Sequence, residues 1–355
     1  MNDTCRIMES DRATYEEAVQ FNRRGLFLGG CPKSGTTLLL SLLDSHPQLV
    51  VLPEETFYLE DRRHYAALDS YQAKLRRLLE KTDLQLLAKG RFEPKRECPS
   101  SDARDYTRFD YQRFVALAED FIKQPGMNDS LLFSEVIRAY AIVQGTDWRN
   151  CVRWIEKSTS NEVRAVAFQE LFPDAKLIQM VRDPRAVFAS RKKRLTDNRG
   201  HHTKAHRLVR EWNRSAREIP RLRQHPDQFM VIRYTDLVRN PNAVMREICR
   251  FAGFDFVPAM LNPTRAGVEW RGNSAFQEAF NSIDSAPVDQ WRDYLTVNEI
   301  WWIEIHCRKG MELAGFTLQT NGRFSLRRWF RRLPGESWGD ICGRAGRRFV
   351  NYSAG

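Results

Sequence analysis

Short apolar runs alternate along the chain with longer stretches in which apolar side chains recur every three or four positions. The runs at residues 25–31, 48–52, 152–155 and 176–181 read as strands, the last three short enough to be buried on both faces. The helical spacing covers residues 37–45, 131–143, 162–171, 183–193 and 296–314. Between them, residues 62–126 are mostly amphipathic helix, as in 71–88 with Leu75, Leu78, Leu79, Leu86 and Leu87. The connector at 91–105 is polar and carries Pro94 and Pro99, the punctuation of a loop. Strands alternating with helices predict an α/β fold, a three-layer sandwich whose central parallel sheet has helices on both faces. Ligands of such sheets bind at the carboxyl ends of the strands. Residues 62–126 read as a helical cap inserted into this domain.

The 355 residues, 42% of them hydrophobic and 28% charged, suffice for a substantial core. One domain over residues 1–320 followed by a basic tail at 321–355 is the expected division. In the tail, arginines are interleaved with Trp329, Phe330 and Trp338. It suits either a solvated, loosely docked end or peripheral contact with membrane lipid or an acidic partner. A net charge of +11 favours anionic ligands, without pointing to nucleic acid. No apolar run is long enough to span a bilayer, and residues 1–12 lack an apolar signal core. The seven cysteines are scattered with no C-x-x-C pair, which fits reduced thiols and a cytoplasmic location.

The chemistry begins at Phe27-Leu28-Gly29-Gly30-Cys31-Pro32-Lys33-Ser34-Gly35-Thr36-Thr37. An apolar strand breaks into a Gly, Pro and hydroxyl loop and enters an apolar helix. That geometry aims several backbone N–H groups and the positive end of the helix at one anion. Gly30 and Gly35 keep the spacing of the nucleotide loop G-x-x-x-x-G-K-[ST], but Thr36 stands where the lysine belongs. The lysine lies inside the loop, at Lys33. A kinase or nucleotide hydrolase using ATP and magnesium also needs a strand-end carboxylate for the metal, and no clear one is present. A second anion site is foreshadowed where the strand 176–181 stops at Arg182-Asp183-Pro184-Arg185, with Ser190 two helical turns on. Arg182 offers a planar fork for a phosphate and Ser190 a small donor; pairing of Arg182 with Asp183 is the plainer alternative.

The loop with its internal lysine resembles the 5′-phosphosulfate loop of sulfotransferases. Strand-R-D-P-R-x-x-x-x-S resembles their 3′-phosphate motif. The resemblance implies a P-loop-type domain over about residues 25–315 that binds 3′-phosphoadenosine 5′-phosphosulfate (PAPS), releases 3′-phosphoadenosine 5′-phosphate (PAP), and needs no metal. Lys33, Ser34, Gly35, Thr36 and Thr37 would hold the 5′ end, and Arg182 and Ser190 the 3′-phosphate. Arg153-Trp154-Ile155-Glu156-Lys157-Ser158-Thr159 resembles the W-x-x-K-[ST]-P segment of enzymes acting on carbohydrates and tyrosines, which gives Lys157 a place at the sulfate. Thr159 replaces the usual proline. Transfer to a hydroxyl needs a base. Leu52-Pro53-Glu54-Glu55-Thr56 resembles the stretch that carries the catalytic glutamate, with Glu55 the better match and Glu54 the runner-up. One of the two is expected to be an ordinary exposed acid. His46 reads instead as a cation closing the preceding helix. Residues 229–237 and Asn240-Pro241 resemble a strand and Y-E-D-L segment that borders the adenine, through Tyr234, with Thr235 in place of glutamate. Ser274 would touch the nucleotide. The acceptor would carry a hydroxyl, a glycan being one candidate. A non-catalytic anion-binding protein is the remaining alternative.

Overall fold

Alternate residues of each strand serve opposite faces of one sheet. Phe27, Trp154 and Leu177 enter a core on one side, while Leu26, Leu28, Ile155 and Ile178 enter a second core on the other. This explains why the runs read as continuously apolar and not as alternating. The computed structural model describes residues 8–92, 104–196, 205–270, 272 and 288–320.

Helix α1 (Tyr15–Arg23) leads into β1 (Gly25–Gly29), α2 (Thr36–Asp44) and β2 (Leu49–Val51). Then come α3 (Arg62–Ala66), α4 (Tyr71–Lys81), a small pair β3 (Arg91–Phe92) and β4 (Arg104–Asp105), α5 (Tyr111–Phe121) and α6 (Asp129–Val143). The sheet resumes with β5 (Arg153–Lys157), α7 (Ala165–Leu171), β6 (Lys176–Val181), α8 (Pro184–Thr196), α9 (Ala205–Ala216), α10 (Ile219–Leu222) and β7 (Phe229–Arg233). The chain continues through α11 (Tyr234–Arg239), α12 (Pro241–Ala252), the hairpin β8 (Thr264–Arg265) and β9 (Val268–Glu269), α13 (Trp291–Tyr294) and α14 (Val297–Ala314). Strands β2-β5-β1-β6-β7 lie side by side in that order, and every pairing is parallel. Helices α1, α5, α6 and α7 contribute to the first core and α2 and α12 to the second, so the expected three layers are present.

The leucines of residues 62–126 join the first core: Leu75, Leu78, Leu79, Leu86 and Leu87 share a cluster with Phe27 and Trp154. The helix expected over 71–88 stops at Lys81. Thr82 is the reason: its hydroxyl donates back to the Leu78 carbonyl at 2.6 Å and accepts from the Leu84 amide at 3.2 Å, restarting the chain as a 3-10 turn over Asp83–Lys89. Similarly, the helix expected from 162 begins as a 3-10 turn, Asn161–Arg164, after Ser160 takes a left-handed conformation with φ 74°. The strand read as ending at 155 runs on to Lys157. Tyr234, in the segment after the strand 229–233, opens α11. The basic tail and Ser274 lie outside the described residues.

Candidate active site

The β1–α2 turn is built by conformations that side chains resist. Gly30 has φ 151°, Lys33 φ 75° and Gly35 φ 92°. A Cβ at Gly30 would stand 2.5 Å from the Met180 carbonyl oxygen, and one at Gly35 would stand 2.8 Å from Cε2 of Tyr234. Both glycines are therefore demanded by close approach as well as by torsion. Gly35 caps α2 without a side-chain hydrogen bond, which leaves the first-turn N–H groups for an external acceptor. Ser34 is buried, and its Oγ has no hydrogen-bond partner among the described residues. A buried hydroxyl without a partner costs free energy unless a ligand supplies one. The loop thus has the strand, turn and helix succession that the sequence predicts.

Arg182, at the end of β6, reaches the same loop. Its Nη1 donates to the Lys33 carbonyl at 3.2 Å, and its guanidinium lies 4.3 Å over the Tyr234 ring. Its Nε is buried with no hydrogen-bond partner among the described residues. Asp183 is occupied elsewhere: Arg185 donates to both of its oxygens, at 2.9 and 2.6 Å, and also to Glu304 at 2.6 Å. The carboxylate of Asp183 is thus engaged by Arg185 and not by Arg182. Ser190 is buried on α8, which begins two residues after Arg182. Tyr234 is wedged between Gly35 and Arg182.

The third strand end closes the site. Lys157 Nζ donates to Glu55 Oε1 at 2.5 Å and to Thr37 Oγ1, in the first turn of α2, at 3.5 Å. Glu55 Oε2 accepts from the Thr159 amide at 3.0 Å and hydroxyl at 3.2 Å. Burial pushes the Glu55 carboxyl up, but Lys157 and Thr159 outweigh it and hold it below its ordinary value. Glu54 faces the other way and is 1% exposed. Its Oε1 accepts from the Tyr106 hydroxyl at 2.5 Å and from Arg265 Nη2 at 3.2 Å. Neither glutamate is an exposed acid, and only Glu55 meets the lysine. His46 is likewise corrected: it is buried, its Nε2 lies 2.9 Å from the Asp255 carbonyl, and Nδ1 accepts from the Gln48 amide. Burial lowers its pKa, so it is a neutral turn residue and not a cation on the helix dipole.

Behind the pair lies a buried polar lattice that sequence reading missed. Glu156 Oε1 accepts from the hydroxyls of Thr56, at 2.7 Å, and Ser158, and its Oε2 accepts from Asn161 at 2.8 Å. Ser158 Oγ in turn accepts from the amides of Thr56 and Phe57 at 3.1 and 2.8 Å. The loops after β2 and β5 are thereby fastened together. Their only sequence signal is the density of hydroxyl and amide side chains around Lys157. Glu162 sits against β1, where a Cβ at Gly29 would be 2.7 Å from its Oε2. Burial raises its carboxyl to about 6; Ser215 and the Gly30 amide pull it back without completing a hydrogen bond.

Comparison with known proteins places these features in company. A family model described as "Sulfotransferase family" matches residues 25–258. Mouse carbohydrate sulfotransferase 5 is 30% identical over 184 residues, covering 44% of this chain and 47% of that protein. Protein-tyrosine sulfotransferase 1 of Danio rerio is 24% identical over 240 residues, covering 67% and 55%. The chain spans about half the length of the curated relatives it matches. Among solved structures, the sulfotransferase domain from the curacin biosynthetic pathway has a similar fold, with a TM-score of 0.50 at 18% identity over 82% of this chain and 98% of that one. Among the described residues no helix is long and apolar enough to cross a membrane.

Proposed function

The chain belongs to the sulfotransferase family, and on that premise we propose that it moves the sulfuryl group of PAPS to an acceptor hydroxyl and releases PAP. The observation that carries this reading is Lys157, one ammonium shared between Thr37 of the anion loop and the Glu55 carboxylate. A cation at that junction faces both the group transferred and the group that accepts the proton.

The residues divide the work by position. The amides of the loop and the Ser34 hydroxyl, with Lys33, Gly35, Thr36 and Thr37, receive the 5′ end of the donor. Arg182 and Ser190 hold the 3′-phosphate, a bidentate task for which a guanidinium is suited. Tyr234 backs Arg182 and borders the nucleotide. Glu55 takes the proton from the acceptor oxygen as that oxygen bonds to sulfur and the bond to the bridging oxygen of PAPS breaks, leaving PAP. Lys33 and Lys157 stabilise charge that develops on the sulfuryl and bridging oxygens, where removing one such donor costs on the order of 3 kcal/mol. Paired with Lys157, Glu55 is a weak base, so the lysine has to be drawn toward the sulfuryl group before the proton moves.

The carbohydrate and protein-tyrosine sulfotransferases among its relatives direct the acceptor search to carbohydrate and tyrosine hydroxyls. Cys31, Cys151, Cys249 and Cys307 are free and buried, which supports a reducing, cytoplasmic setting. The test has two arms. Calorimetry should show PAP binding well ahead of ATP with magnesium; the reverse order would favour a nucleotide kinase. Incubation with radiolabelled PAPS and a panel of glycans, phenols and tyrosyl peptides should label a hydroxyl, with or without chelator. Labelling abolished by chelator would contradict the chemistry proposed.

A further inference from the structure

The Glu55 carboxylate is gripped at both oxygens, and the two grips differ in kind. At Oε1 the partner is the long, flexible Lys157 side chain, whose Nζ also reaches toward the anion loop. At Oε2 the partner is a short residue that contributes two donors, the Thr159 amide and hydroxyl. Thr159 is itself fixed on each side. Ser158 is bonded to the Thr56 and Phe57 amides. Ser160, left-handed at φ 74°, donates its amide to the Gly30 carbonyl at 3.2 Å. The backbone of Glu55 is held too, its carbonyl accepting from the Asp83 amide at 3.0 Å. What remains to be set is the direction of the Glu55 side chain.

We propose that Thr159 is the positioning residue for the base: it keeps Oε2 in place while Oε1 exchanges Lys157 for the acceptor hydroxyl. Without it, departure of the lysine would release the carboxylate to rotate, and the attacking oxygen would lose its hydrogen-bonded partner at the moment it is needed. A proline at this position would lack both donors, so this chain holds its base by a hydroxyl and amide where the segment it resembles has neither. The proposal rests on the reading of Glu55 as base.

The experiment follows the Glu55 carboxyl carbon by 13C NMR titration of the full chain labelled at glutamate, with the signal assigned by its disappearance in Glu55→Gln. Thr159→Val removes the hydroxyl at nearly constant volume and should raise the midpoint by about half to one pH unit, because a hydrogen bond to the charged form is lost. Thr159→Ser should restore it. Thr159→Ala provides a second test should valine not fold, and PAP binding serves as the folding control. A midpoint unmoved in folded Thr159→Val or Thr159→Ala overturns the positioning role. PAP release from PAPS undiminished in Glu55→Gln overturns it by the other route, since the base itself would then be misassigned.

Discussion

Substituting Gly35 by alanine tests the least replaceable contact of the anion loop. Two penalties combine. At φ 92° a residue with a Cβ is strained by about 1–3 kcal/mol. The new methyl would also lie 2.8 Å from Tyr234 Cε2 and closer still to Cδ2, an overpacking worth a further 1–3 kcal/mol or so. The ring cannot retreat freely, because the Arg182 guanidinium rests 4.3 Å over its face. A total of roughly 2–6 kcal/mol, at about 2 °C per kcal/mol for a chain of this size, lowers Tm by roughly 4–12 °C. Displacing the ring removes a cation–π contact from Arg182, which weakens PAP binding by roughly 2- to 30-fold. Differential scanning calorimetry and PAP titration give both numbers. Adding Tyr234→Ala separates them: the overlap disappears while the torsional strain stays, so the Gly35→Ala penalty should fall by about half in that background. A Gly35→Ala protein that melts within about 1 °C of the parent and binds PAP equally well would refute the reasoning, as would a penalty that Tyr234→Ala leaves unchanged.

Three other substitutions probe separate parts of the site. Lys157→Ala should slow sulfuryl transfer by about 10²- to 10³-fold while PAP affinity, measured by calorimetry, falls far less, because PAP keeps the bridging oxygen but lacks the sulfuryl oxygens. Glu54→Ala strips Arg265 and Tyr106 of a buried acceptor and should cost about 3–5 kcal/mol in denaturant unfolding, without acting through the proton transfer proposed for Glu55. Glu162→Gln addresses pH. A buried carboxyl raised from its ordinary 4.5 to about 6 binds its proton more tightly folded than unfolded, so its contribution is intact below about 4.5 and is lost as pH rises through 6. The loss is about 2 kcal/mol. The glutamine variant should therefore gain stability relative to the parent at pH 8 and show no such gain at pH 4, as followed by thermal melts.

The layers of this fold were legible because strands buried on both faces leave unbroken apolar runs, and the helices between them keep their spacing. Two of the boundaries that shifted did so at single residues, one through a hydroxyl and one through a backbone torsion. Thr82 turned its group back onto the preceding turn and ended α4, and Ser160 adopted a left-handed conformation that delayed α7. Such choices are made by local hydrogen bonds that apolar periodicity does not register. In the site, Lys33, Glu55, Lys157 and Arg182 stood out because each ends a strand or lies in a loop of unusual composition. Glu156, Ser158, Asn161 and Thr159 did not. Their role comes from contacts between the loops after β2 and β5, residues about a hundred positions apart, and adjacency in the sheet is a property of strand order that one sequence does not spell out. Thr159 was visible only as a departure from a motif. Glu54 and Glu55 were ranked by resemblance alone; the different neighbours of the two, Arg265 and Lys157, come from contacts that residue type does not reveal.

The strand order β2-β5-β1-β6-β7 also fixes a length scale. Along the carboxyl edge of the sheet it lines up Glu55, Lys157, Lys33, Arg182 and Tyr234 in that succession, whereas in the chain Lys33 comes first and Lys157 comes between Glu55 and Arg182. Neighbouring strands are about 4.8 Å apart, so the four gaps measure roughly 19 Å. On the proposed reading the sheet edge is in effect a ruler laid along an extended donor, from the acceptor oxygen at one end to the nucleoside at the other. Every mark on it but the first is set by strands buried in the middle or at the nucleotide side. On the proposed reading the acceptor meets Glu55 at β2, an edge strand of the sheet. Divergence around that edge would then change what is sulfated while leaving the spacing of Lys157, Lys33 and Arg182 along the inner strands untouched.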